Sequence, residues 1–137
     1  MVKVILLVED DDDAVFLFQH AMAKAEPGSV MQVVSDGQMA IDYFKGTGKF
    51  KNREAFPLPS LVLLDLKLPQ VPGLDVLKWI RTEAGSDVPV VILSSSKNDE
   101  DVATAYKLGA NAYLVKPSDP SQLLDIAKMI GLVKKSV

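Results

Sequence analysis

The chain has no cysteine and a single histidine. Without thiols it can form neither disulfides nor thiolate metal sites, and it tolerates a reducing compartment. The lone His20 has no metal-binding or nucleophilic partner near it in sequence, and packing or partial exposure accounts for it, as for Trp79, Met22 and Met129. Long apolar runs are also missing. The N-terminal run covers only Val4–Val8, whereas a membrane span needs about 20 apolar residues and a signal-peptide core needs more than this run offers. A cytoplasmic protein without membrane insertion is expected. The 15 Lys and Arg residues are scattered rather than gathered in a stripe, which argues against direct nucleic-acid binding. No internal repeat or low-complexity tract is present.

What is present is a 137-residue chain, 48% hydrophobic and 24% charged, the size and balance of one globular domain. Its net charge of -3 is unevenly spread. Of 18 acidic residues, five stand together at Glu9–Asp13, and the remainder are outnumbered by the 15 basic ones.

Short runs of β-branched and aliphatic residues recur along the chain: VKVILLV ending at Val8, VMQVV ending at Val34, LVLL ending at Leu64, VPVVIL ending at Leu93 and AYLV ending at Val115. Their length suits strands, and their lack of alternation suits burial on both faces. Helical spacing links Val15, Phe18, Met22 and Ala25, then Leu74, Leu77 and Ile80, then Leu123, Ile126, Ala127 and Ile130. Weaker helical segments lie around Ala40–Phe44 and Val102–Leu108. Strand followed by helix, five times over, predicts an α/β fold, a doubly wound parallel sheet with helices on both sides. Only Gly46–Pro59, rich in glycine, proline and basic residues, interrupts the rhythm, and it reads as a long surface loop.

In such a sheet, ligands gather outside the carboxyl ends of the strands. Glu9 and Asp10 follow the first strand, Asp65 the third, Ser94–Ser96 the fourth, and Lys116 the fifth. Each has an ordinary explanation. Asp11–Asp13 suit the start of a helix, Ser35 and Asp36 suit a cap, serines after strands are turn residues, and a lone lysine is commonly solvated. Together they are more specific. Three carboxylates within about 4 Å make three repelling pairs of roughly 4 kcal/mol each at an effective dielectric of about 20. A small hard cation relieves this, and magnesium matches the all-oxygen donor set. A helix-loop-helix calcium site is excluded, because the run lacks spaced ligands, a central glycine and a closing glutamate. Beside a magnesium-bound carboxylate, the Lys116 ammonium and Ser94 hydroxyl suit an incoming phosphoryl group.

The motifs LLVEDD, LVLLDLKLPQVPG, VPVVILSSS and GANAYLVKP, in this order, resemble the receiver domain of two-component response regulators, of the single-domain, chemotaxis-regulator-like kind. The resemblance spans residues 1–137 and implies a flavodoxin-like sheet in the order 2-1-3-4-5, with no output domain. It implies a phosphoryl acceptor at Asp65, supplied by a sensor histidine kinase or phosphotransfer protein. Magnesium would be held by Glu9 through water, by Asp10 and Asp65 directly, and by the Lys67 backbone carbonyl. Lys116 would pair with the acceptor, and Ser94 and Tyr113 would form the switch. Such a protein is not an enzyme beyond promoting its own phosphotransfer and dephosphorylation. Its output would run through protein contacts on the face of the fourth helix, fifth strand and fifth helix, including Tyr106 and Lys107, to a downstream target or a second copy in a homodimer.

Certain positions carry finer implications. Pro72 stands where an acid is common, Lys67 and Ser96 flank the phosphoryl position, and Lys116–Pro117 is expected to be cis. The 46–59 loop with LLDLKLP resembles the branch that serves phytochrome-type kinases. A haloacid dehalogenase-type phosphatase needs a second aspartate where Lys67 stands. A flavin or nucleotide carrier needs a phosphate cradle where EDDDD would repel it. A non-phosphorylated pseudo-receiver loses the acceptor, an acidic ligand or the lysine, and all are present here.

Overall fold

The computed structural model describes residues 3–117 and 119–135. Five parallel strands, β1 (Val4–Val8), β2 (Val30–Val34), β3 (Leu61–Asp65), β4 (Val90–Ser94) and β5 (Ala112–Val115), form one sheet in the order β2-β1-β3-β4-β5. Five helices alternate with them: α1 (Asp12–Ala25), α2 (Gly37–Lys45), α3 (Gly73–Thr82), α4 (Asp99–Lys107) and α5 (Leu123–Lys135). The α/β reading and the strand order both hold. Val2, the first residue of the VKVILLV stretch, lies outside the described residues.

Every residue of β1, β3 and β4 is buried, as their continuous apolar runs predict. The two-residue period of a strand then divides one sheet into two cores. Leu6, Val8, Val62, Leu64, Val90 and Ile92 pack with Ala40 and Tyr43 of α2 and Val76, Leu77 and Ile80 of α3. Ile5, Leu7, Leu61, Leu63, Val91 and Leu93 pack with Phe18 and Met22 of α1 and with Leu123, Ala127 and Ile130 of α5. Each such aliphatic side chain contributes roughly 1.5–3 kcal/mol on burial. The expectation of burial on both faces fails for β2 and β5. They are the sheet's edges, beyond the full cover of the helices, and most of their residues are partly exposed.

Helix starts follow local chemistry. Asp11 caps α1 by accepting the N–H groups of Asp13 and Ala14, and Asp12 and Asp13 fill the first turn, where the dipole favours them. Asp36 caps α2 through the Met39 N–H at 2.7 Å. Three of the five consecutive acids, Asp11–Asp13, therefore begin a helix, and two remain for the sheet's rim.

The 46–59 segment is more than a surface loop. Phe50 is buried, and it meets Tyr43 and Phe56 with ring centroids 5.1 and 5.2 Å away. The Arg53 guanidinium donates to the carbonyls of Tyr43, Phe44 and Phe56, closing the end of α2, and the Tyr43 hydroxyl donates to the Pro57 carbonyl at 2.7 Å. The basic appearance of this stretch hid an aromatic cluster held together by one arginine.

Candidate functional site

The sheet register assembles the site. Val8 aligns with both Val34 and Leu64, Asp65 with Leu93, and Ser94 with Val115, so the residues ending or following these strands share one rim. Backbone bonds fix the exits: the Glu9 N–H donates to the Val34 carbonyl at 3.0 Å and the Lys116 N–H to the Ser94 carbonyl at 2.8 Å.

Glu9, Asp10 and Asp65 each bring one carboxylate oxygen into a group whose members all lie within 4.8 Å of one another. Glu9 and Asp65 are buried, whereas Asp10 is exposed. Glu9 Oε2 also accepts the N–H groups of Asp10 and Asp11, so its direction is fixed by the turn that follows β1. The Lys116 ammonium reaches across the rim and donates to Glu9 Oε1 at 2.5 Å and to Asp65 Oδ2 at 3.3 Å. It was expected to pair with Asp65, and its shorter contact is with the more deeply buried Glu9.

Burial raises the Glu9 carboxyl above the ordinary 4.5; the Lys116 hydrogen bond opposes this and the nearby Asp65 charge adds to it. For Lys116, burial acts to lower the pKa, but the Glu9 hydrogen bond and the Asp65 and Glu9 charges together outweigh it and lift the ammonium above 10.5. One cation between two carboxylates is held firmly charged, and Glu9 carries the cost of desolvation.

The other expected residues lie around this cluster. The Lys67 N–H donates to Asp65 Oδ1 at 3.4 Å, and its side chain is exposed. Ser94 is buried, and its hydroxyl oxygen accepts the Ser96 N–H at 3.0 Å. The Tyr113 hydroxyl donates to the Ser96 carbonyl at 3.0 Å, so Tyr113 is already tied to the loop after β4. No peptide bond among the described residues is cis. Lys116–Pro117 is therefore trans, contrary to expectation; trans is the lower-energy form of such a bond by about 0.5–1 kcal/mol, and Lys116 reaches both carboxylates from it.

Two glycines that the sequence reading passed over shape the site. A Cβ on Gly73 would stand 2.1 Å from the Asp65 carbonyl oxygen, and one on Gly37 2.0 Å from the Val71 carbonyl oxygen. The start of α3 lies directly on the backbone that carries Asp65, and α2 lies on the loop that follows. The spacing of Gly73 from Asp65, with Pro72 before it, was the available signal. Within that loop Gln70 has a φ of 70°, and the Val71 N–H turns back to the Pro69 carbonyl at 2.9 Å. This is a left-handed conformation that a non-glycine residue adopts at some cost.

The donor set suits a divalent cation. It consists of three convergent carboxylates, without histidine or cysteine, and hard oxygen ligands favour magnesium, calcium or manganese over softer ions.

Residues 5–128 match the response regulator receiver domain. The chain belongs to this family. The receiver is 36% identical over 129 residues to the response regulator Rcp1 of Synechocystis sp., covering 93% of this chain and 84% of that protein. Its structure is similar to that of the phosphorylated cyanobacterial phytochrome response regulator RcpA, at 36% identity and a TM-score of 0.90 over 99% of this chain and 96% of the other. It is also similar to the Mn2+-bound form of Rcp1, at 34% identity and a TM-score of 0.82 over 93% and 91% of the two chains. Receivers of two-component systems pair with histidine kinases. Among the described residues, no helix is long and apolar enough to cross a membrane.

Proposed function

We propose that this receiver accepts a phosphoryl group on Asp65 from a histidine kinase or phosphotransfer protein. The observation that carries the reading is the convergence of Glu9, Asp10 and Asp65 oxygens within 4.8 Å, with the Lys116 ammonium 3.3 Å from Asp65 Oδ2. A carboxylate oxygen of Asp65 attacks the phosphorus of phosphohistidine; the P–N bond breaks, its electron pair leaves on the imidazole nitrogen, and an acyl phosphate forms on Asp65. Lys116 neutralises the arriving oxygens, and the Ser94 hydroxyl is the rim's hydrogen-bond donor to them. Glu9, Asp10, Asp65 and the Lys67 carbonyl are the groups that would hold magnesium. When bound, that ion supplies charge stabilisation to the transferring group. Phosphorylation adds roughly two negative charges, which draw Ser94 toward Asp65 and, through Ser96, alter the position of Tyr113.

Output on this reading is by contact. The face of α4, β5 and α5, where Tyr106 and Lys107 are exposed, meets a downstream protein or a second copy in a homodimer. Similar proteins support a phytochrome-type kinase as the donor: RcpA is a phytochrome response regulator, and RtBRR, 44% identical with a TM-score of 0.76, is a bacteriophytochrome response regulator. A cytoplasmic regulator without nucleic-acid contact by this domain or activity on other substrates belongs to the same proposal. Lys67, standing where a phosphatase of the haloacid dehalogenase type needs a second aspartate, weighs against that alternative. The test is incubation with acetyl phosphate and magnesium: intact mass should rise by one phosphoryl group in the wild type and stay unchanged in Asp65→Asn.

A further inference from the structure

Helix α4 is weakly anchored. Of its residues only Ala105 is buried, and its first turn consists of Asp99, Glu100 and Asp101. With so little apolar surface packed, polar contacts set its position. One lies near each end. The Ser96 hydroxyl donates to Asp101 Oδ2 at 2.8 Å, and the Tyr106 hydroxyl accepts the N–H of Tyr113, on edge strand β5, at 3.0 Å.

Ser96 connects this helix to the rim with all three of its polar groups. Its N–H donates to Ser94 Oγ at 3.0 Å, and its carbonyl accepts the Tyr113 hydroxyl at 3.0 Å. Its hydroxyl oxygen accepts the Asn98 N–H at 3.2 Å, which leaves the hydroxyl proton to Asp101. The Asp101 carboxylate is favoured in the first turn of the helix, and as an ionised acceptor it makes a stronger bond than a neutral one. Ser94, Ser96, Asp101 and Lys67 line a common cavity of about 220 Å³ beside Asp65's loop.

We propose that Asp101 is a positioning residue: through the Ser96 hydroxyl it clamps the loop between β4 and α4 in the placement that orients Ser94 toward the acceptor and holds Tyr113. The proposal rests on Asp65 being the phosphoryl acceptor, and it adds the residue through which α4 takes part.

The test uses Asp101→Ala, Asp101→Asn, Ser96→Val and Ser96→Thr. Three readouts are taken: acetyl phosphate uptake with magnesium, thermal melting, and ring NMR signals, which the chain's three tyrosines keep simple. Asp101→Ala and Ser96→Val should slow uptake on the order of tenfold, the worth of one charge-assisted hydrogen bond, and should shift the Tyr113 ring signals. Asp101→Asn keeps an acceptor and Ser96→Thr keeps the hydroxyl, so both should retain most of the rate and the wild-type spectrum. Unchanged uptake and Tyr113 signals in Asp101→Ala overturn the clamp, as does a Ser96→Thr variant as impaired as Ser96→Val. If the wild type takes up no phosphoryl group, the acceptor reading fails. The clamp is then decided by the spectrum alone: a shift in Asp101→Ala upholds it and no shift overturns it.

Discussion

The Lys116 ammonium lies 2.5 Å from Glu9 Oε1, a residue 107 positions away in the chain, and the same ammonium reaches Asp65 at 3.3 Å. Removing it leaves two buried carboxylates facing each other. Deleting one partner of a fully buried ion pair costs about 3–5 kcal/mol; with the lysine side chain 23% exposed, Lys116→Met is expected to cost about 2 kcal/mol at neutral pH. Glu9 has a folded-state pKa raised above its unfolded 4.5. Its favourable contribution is therefore fully present below that value and is lost as pH rises through the folded one. The penalty in Lys116→Met should accordingly shrink as pH falls toward 4.5. Urea unfolding at several pH values checks this, and a penalty that grows on acidification contradicts it.

Asp10 is the exposed member of the carboxylate group. Asp10→Asn should weaken magnesium binding by at least tenfold. With chelator present it should raise the melting temperature by about 2 °C, because one repelling partner is gone. A lower melting temperature in chelator counts against the crowded-carboxylate picture.

Gly73 has no room for a side chain, since a Cβ would lie 2.1 Å from the Asp65 carbonyl oxygen. Gly73→Ala should lower stability by about 1–3 kcal/mol, as overpacking does. It should also reduce phosphoryl uptake beyond what the stability loss explains, because the obstructing atom is backbone rather than a movable side chain. Uptake measured well below the variant's melting temperature separates the two effects.

The Lys67 side chain is exposed, and its N–H donates to Asp65. On the proposed function, a long side chain there would hinder the water that hydrolyses the acyl phosphate. Lys67→Ala should therefore speed loss of the phosphoryl group several-fold, followed as the decay of the phosphorylated mass after donor removal. An unchanged decay rate refutes this role.

Much of the fold was legible because its buried strands are uninterrupted apolar runs and its helix starts carry their own caps. Asp11 and Asp36 each accept helical N–H groups as their residue types suggest. The rim was legible for a related reason: in a parallel sheet, residues that follow strands converge, so Glu9, Asp10, Asp65 and Lys116 could be placed together without contacts. What escaped was reach and pairing. Nothing in the linear pattern tells that Lys116 prefers Glu9, because the choice depends on which carboxylate is more deeply buried. The start of α4 at Asp99 was hidden because its first turn is three acids with no apolar face. The cluster of Tyr43, Phe50 and Phe56 was hidden because lysines and Arg53 separate its rings in sequence.

The central claim is that Asp65, among all the chain's carboxylates, takes the phosphoryl group with help from a divalent ion. Peptide mapping by mass spectrometry after acetyl phosphate treatment tests it most directly. The account predicts one phosphoryl group on the peptide containing Asp65, greatly diminished by chelator and missing in Asp65→Asn. A modification that maps elsewhere, or one indifferent to chelator, contradicts it.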